Sequence, residues 1–180
     1  RQYGNFRWYW KDPRVLDANA VDFCMRAGAL LWLHHHDWMP SAAREKLRPV
    51  LELAGKGLTG HKVKPNYSNI AIMNAADLLL LGRALNDPAL LEEGRKRLEA
   101  IFDYTRRFGI HEYVSPTYTG VDVEGLALIE AYAPDETTRT RAQKLLDFWW
   151  TDIALNYFPP AGRLAGAQSR TYDFLFGLGF

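Results

Sequence analysis

Three polar residues, Asp17, Ser68 and Thr119, stand at equal intervals of about 50 residues, and each precedes a run that is apolar nearly all round: AVDFCMRAGALLWL, IAIMNAADLLLLGRAL and VDVEGLALIEAY. A helix apolar on every side needs neighbours on most sides, so the spacing predicts covered helices over about 18–36, 69–85 and 121–133. Between them, 42–58, 88–107 and 136–153 place apolar residues three or four apart against faces of Arg, Lys and Glu. Leu47, Leu51, Ala54 and Leu58 make the first such stripe, Leu91, Leu98 and Ile101 the second, Leu145, Trp149 and Ile153 the third. These are amphipathic, outward-facing helices. The repeat unit is therefore a helical hairpin, inner helix then outer helix. Strand-like alternation is almost absent, and the expected fold is all-α.

Side-chain oxygens of Asp17, Ser68 and Thr119 can accept the orphan amide protons of a first helical turn, and Ser41, Asp87 and Asp135 can do the same for the outer helices. Asp122, three residues after Thr119, has the spacing of a capping-box partner. One more interval lands beside Ser169, followed by RTYDFLFGLGF. The expectation is a single all-α domain over 1–180, with three hairpins and the start of a fourth. An apolar edge would then be left for a further C-terminal half or a second copy to cover. Periodicity alone does not choose between an open solenoid and a closed toroid.

A 180-residue chain with 48% hydrophobic and 24% charged residues can bury a sizeable core. Its net charge of +1 gives no drive toward nucleic acid. No apolar run reaches the roughly 20 residues that cross a bilayer. Cys24 is the single cysteine, which excludes an intrachain disulfide or a cysteine-based zinc site. His34, His35 and His36 are adjacent, so on a helix they point about 100° apart and cannot chelate one ion. No phosphate loop, zinc motif or nucleophile elbow is present, and no cofactor or metal is expected.

If the inner helices run parallel, the segments before them emerge at one end: YGNFRWYWKDP, GHKVKPNYSN, GIHEYVSPTYTG and NYFPPAGRLAGAQSR. They are long and rich in aromatic, Asn, His and Gly residues, whereas the turns at the other end are short. Helix N-termini gathered there favour an anionic ligand. Trp8, Trp10, Tyr67, Tyr113 and Tyr172 supply flat faces, and Asn66 and Arg170 supply planar hydrogen-bonders, a combination suited to an oligo- or polysaccharide. His111 and Tyr118 are candidate proton-transfer groups. Glu112 with Asp122 is a candidate carboxylate pair for inverting glycoside hydrolysis. Asn69 and Asn66 bracket the start of the second inner helix, and Arg170 with Asp173 can form an ion pair or a ligand clamp.

The strings NYSNIAIMNAADLLLLG, EYVSPTYTGVDVEGL and SRTYDFLFG together resemble a group of largely uncharacterised bacterial proteins related to the α/α-toroid domains of alginate lyase and heparinase II/III type polysaccharide lyases. The resemblance implies a toroid, of which this chain would hold about half, and a secreted or periplasmic location. In such lyases an Asn neutralises the uronate carboxylate, a Tyr or His removes the acidified proton, and a Tyr protonates the leaving oxygen. Carried over, this implies Asn69 or Asn66 as neutraliser, Tyr118 or His111 as base and acid, and Arg170 as carboxylate clamp. The Asn-His pair typical of those enzymes is replaced here by Asn66-Tyr67-Ser68. A non-catalytic glycan-binding or scaffold module is the alternative from a different class.

Overall fold

The computed structural model describes residues 3–172. The fold is all-α. Its helices are α1 (Ala20–His35), α2 (Ser41–Gly60), α3 (Ser68–Leu85), α4 (Pro88–Phe108), α5 (Thr119–Tyr132) and α6 (Glu136–Asn156). A 3-10 turn, His36–Trp38, follows α1, and two-residue strands β1 (Tyr157–Phe158) and β2 (Arg163–Leu164) pair antiparallel after α6. All six helices lie within a few residues of their expected positions. The small hairpin lies in the segment expected to precede a fourth helix; Ser169 to Tyr172 are not helical, and the rest of the expected fourth hairpin lies outside the described residues. Asp173, and the clamp expected of it, lie outside the described residues.

Helix α3 is the centre of the array. It packs against α1 and α5 on its flanks and against α4 and α2 outside, and every residue from Ser68 to Gly82 is buried. Glycines allow the closest approaches: a Cβ on Gly94 of α4 would stand 2.7 Å from Leu79, and one on Gly125 of α5 would stand 2.7 Å from Ile72. On one side of α3 the core gathers Ile72, Leu79, Leu98, Leu126 and Trp149; on the other, Val21, Leu51, Leu58, Leu78 and Leu81. Truncating one such leucine to alanine typically costs about 2–5 kcal/mol. At the end of the array α6 keeps Phe148, Trp150 and Leu155 exposed.

The inner helices run parallel. At one pole Asn19, before α1, donates Nδ2–H to the Tyr67 hydroxyl before α3 at 3.3 Å. At the other, Tyr132 at the end of α5 meets His34 Nε2 of α1 at 2.6 Å and accepts Arg83 Nη1–H of α3 on its carbonyl at 3.1 Å. Arg26 of α1 reaches Glu124 of α5 at 2.8 Å, closing the third side of α3.

The caps divide by layer. Asp87 and Asp135 cap α4 and α6 as expected, accepting from Ala89 and Leu90 and from Thr138. Ser41 instead is the first residue of α2 and caps nothing. The inner helices also depart from expectation. Asn19, not Asp17, precedes α1, and Asp17 accepts from the Asn19 backbone and from Trp8 Nε1. Ser68 and Thr119 are themselves first helical residues and are buried. Asp122 is no capping-box partner: its carboxyl is buried and accepts from Trp149 Nε1 of α6 at 3.1 Å. The physical reason is the neighbouring layer: a side chain on the buried face of a helix meets the helix packed against it, as Asp122 meets Trp149.

Asp77 of α3 is 0% exposed, with neither carboxyl oxygen hydrogen-bonded. Burial first, then the Asp22 charge, push its pKa well above the usual carboxylate range, against the pull of Arg26. A carboxyl raised in the folded state binds its proton there more tightly than in the unfolded chain, so stability falls as pH rises above about 4. Asp77→Asn should remove a share of that decline worth up to about 1.4 kcal/mol per pH unit. Denaturant midpoints should then diverge between pH 5 and pH 8, with the variant the more stable at pH 8; parallel curves would contradict it.

Candidate functional site

The chain between α4 and α5 leaves Gly109 at φ 75° and forms a turn over His111–Val114. Val114 adopts φ 46°, a left-handed conformation that costs a β-branched residue of order 1–3 kcal/mol. Its side chain is buried against Ile153 and Leu164, which offsets that cost. Ser115 accepts the Tyr118 amide proton at 3.0 Å and ends the turn. The result aims Glu112 inward, where it is 4% exposed.

There Glu112 Oε2 accepts the backbone N–H of Asn69 at 3.0 Å and its Nδ2–H at 2.7 Å. Glu112 thus caps α3 from another segment of chain. Its Oε1 lies 3.1 Å from Arg170 Nη1, an ion pair without aligned hydrogen-bond geometry. Arg170, also left-handed at φ 53°, sets its guanidinium 5.4 Å from the ring of Tyr67, 5.1 Å from Tyr118 and 5.8 Å from Tyr172. It donates to the Tyr172 hydroxyl from Nε at 3.2 Å and Nη2 at 2.9 Å, and the Tyr118 hydroxyl donates to the same oxygen at 3.4 Å. Of three non-glycine residues with positive φ among the described residues, Arg170 belongs to this ion pair, Val114 stands two residues from Glu112, and Asn86 ends α3.

Burial, then the bond to Tyr172, push the Tyr118 phenol up to about 12. Tyr172 moves down from the ordinary phenol value, because it accepts from Tyr118 and, against its own burial, from Arg170. Burial opposes the Arg170 charge, but hydrogen bonding with Tyr67, Tyr172 and Tyr118 and the nearby Glu112 carboxylate outweigh it and raise its pKa. Two phenols with separated affinities for one proton therefore share a hydrogen bond beside a permanent cation. A cleft of about 280 Å³ opens beside them, lined by Asn66, Tyr67, His111, Glu112, Ser169 and Arg170. A larger hollow of about 760 Å³ lies between α2 and α4, away from these groups.

The fold thus brings together Asn66, Tyr67, Asn69, Glu112, Tyr118, Arg170 and Tyr172. His111 lines the cleft, but its Nδ1 lies 3.3 Å from the Tyr104 hydroxyl of α4. Asn69 is 0% exposed and turned to Glu112, so it offers a ligand no face; Asn66 is the asparagine that does. Tyr113 is half exposed and holds Ser169 through its carbonyl at 3.1 Å. Trp8 packs on Phe23 and Trp10 projects 87% exposed beside Arg7; neither touches the Arg170 group. Asp122 is sealed against Trp149, with burial holding its pKa well above the usual range. Glu112 and Asp122 therefore do not present an open carboxylate pair. Sequence reasoning passed over Asn19, which joins α1 to Tyr67; its signal was an amide side chain directly before an apolar run.

Glu112→Ala should leave the Asn69 amides and the Arg170 charge without their partner and cost about 2–3 kcal/mol, while Glu112→Gln, which keeps an acceptor for Asn69, should cost clearly less. Chemical denaturation of both variants checks the ordering.

Among the described residues no helix is long and apolar enough to cross a membrane, and no cluster of His, Cys, Asp and Glu is arranged to hold a metal ion. No curated protein and no solved structure matches the chain. A family model described as a domain of unknown function, DUF8769, matches residues 5–176, and the chain belongs to that family.

Proposed function

We propose that the pole where α3 and α5 begin binds an acidic, uronate-containing polysaccharide and cleaves it by lyase-like β-elimination. The observation that carries this reading is the Arg170 guanidinium, held by three tyrosine rings at the edge of an open cleft. A guanidinium takes a carboxylate in bidentate fashion, and phenol rings suit the apolar faces of a sugar. Asn66 stands where it can add a hydrogen bond to that carboxylate. The sequence resemblance to toroid lyases supports the same chemistry.

In the proposed reaction Arg170 neutralises the uronate carboxylate and so acidifies the adjacent C–H. Tyr172, the phenol with the lowered pKa, takes that proton as its phenolate. The C–H electron pair forms a carbon–carbon double bond, the bond to the glycosidic oxygen breaks, and Tyr118, which stays protonated at about 12, gives its proton to the departing oxygen. A non-catalytic glycan-binding module is favoured by one observation, that the Asn69 amide is already occupied by Glu112.

The unsaturated product absorbs in the near ultraviolet. Tyr172→Phe and Tyr118→Phe should each lower kcat on a uronate polymer by about 100-fold or more with binding retained, whereas Arg170→Ala, which loses both the clamp and the acidification, should raise KM and lower kcat. The wild-type rate should climb with pH as Tyr172 ionises. Binding without any rise in absorbance across a panel of uronate polymers would assign the site to a binding module.

A further inference from the structure

A second polar group at the same pole has no part in the chemistry above. Asp22, in the first turn of α1, is fully buried. It accepts Asn74 Nδ2–H of α3 on one oxygen at 2.6 Å and His61 Nδ1–H on the other at 2.7 Å. Asn74 in turn accepts from Arg97 of α4, so the carboxylate is held by a rigid chain of contacts. A carboxylate can only accept, so Nδ1 of His61 carries the proton that Asp22 takes, and in the neutral form of that ring the lone pair lies on Nε2. Among the described residues no group bonds Nε2, and the side chain is 17% exposed.

The imidazole is not needed to end α2. Arg97 already takes the carbonyls of Leu58 at 3.1 Å, Thr59 at 2.9 Å and His61 at 2.9 Å, with Glu93 balancing its charge at 2.7 Å. Its position is also telling. His61 reaches the first turn of α1 through Asp22, and Tyr67 reaches the same turn through Asn19. Both side chains are thus tied to one turn of α1, where positions three apart stand roughly 5–6 Å from each other, while Arg170 lies over the Tyr67 ring.

We propose that His61, oriented by Asp22, is a hydroxyl-binding subsite, in which Nε2 accepts a hydrogen bond from a sugar ring lying across Tyr67 from Arg170. This rests on the glycan reading of the pole and extends it by one ring toward α1. A neutral imidazole held through Nδ1 accepts on Nε2, so the subsite selects a neutral, hydroxyl-bearing unit next to the acidic unit at Arg170.

Diethyl pyrocarbonate, which attacks an unprotonated imidazole nitrogen, should modify His61 in the free protein by peptide mass mapping. Oligogalacturonate or alginate oligomers should slow that reaction at least fivefold. His61→Gln, whose side-chain amide still donates to Asp22, should melt like the wild type and bind those oligomers about tenfold more weakly. His61 unmodified in the free protein, an Nε2–H tautomer in a long-range ¹H–¹⁵N spectrum, or unchanged affinity in His61→Gln would overturn the subsite. If the wild type binds no uronate oligomer, the acidic-glycan reading falls by itself. Cellohexaose then decides the subsite: protection of His61 supports it, and its absence overturns it.

Discussion

The complete burial of α3 is the constraint from which the rest of the molecule follows. A helix enclosed on every side must leave each of its polar side chains either partnered by another element or stripped of charge, because an unpaired buried polar group costs about as much as several favourable contacts supply. Four buried polar residues lie along it, and three of them show how differently that demand is met. Asn69 is met by Glu112, Asn74 by Asp22 and Arg97, and Asp77 by nothing.

The first two answers build the candidate functional pole. Glu112 can reach the α3 N-terminus only if the turn after α4 tightens, which places Val114 in a left-handed conformation, and its second oxygen is then available to Arg170. Arg170 gathers Tyr67, Tyr118 and Tyr172, whose contacts separate the proton affinities of two neighbouring phenols. On the α1 side the same logic, run through Asn74 and Asp22, fixes the His61 ring through its Nδ1. The third answer leaves a carboxyl that burial keeps toward its neutral form inside the core. Packing and candidate chemistry are therefore parts of one problem, the satisfaction of polar groups in a covered helix.

Much of the architecture was legible from hydrophobic patterning. The all-round apolar runs around Ile72 and Leu126 and the striped runs around Leu98 and Leu145 predict inner and outer helices because burial follows from pattern. Asp87 and Asp135 were readable as caps because their partners lie within three residues. Ser68, Thr119 and Asp122 were misread for the converse reason: they have the right spacing for local capping, but their side chains lie in a covered layer where the local rule gives way to neighbours on other helices. Trp8 and Trp10 have the composition of a sugar platform, yet their segment lies along α1 and not over the cleft.

By itself the sequence determined the all-α class and the alternation of layers, since both are properties of periodicity and chain order, whereas the gathering of aromatic and polar segments at one pole needed the parallel run of the inner helices. Only the tertiary structure decided which of those segments touch. Glu112 and Asn69 stand 43 residues apart, and Asn74 and Asp22 stand 52 apart. No local preference of the chain acts over such separations; what joins them is the requirement that α3, once enclosed, leave no polar group unpaired where a neighbour can reach it.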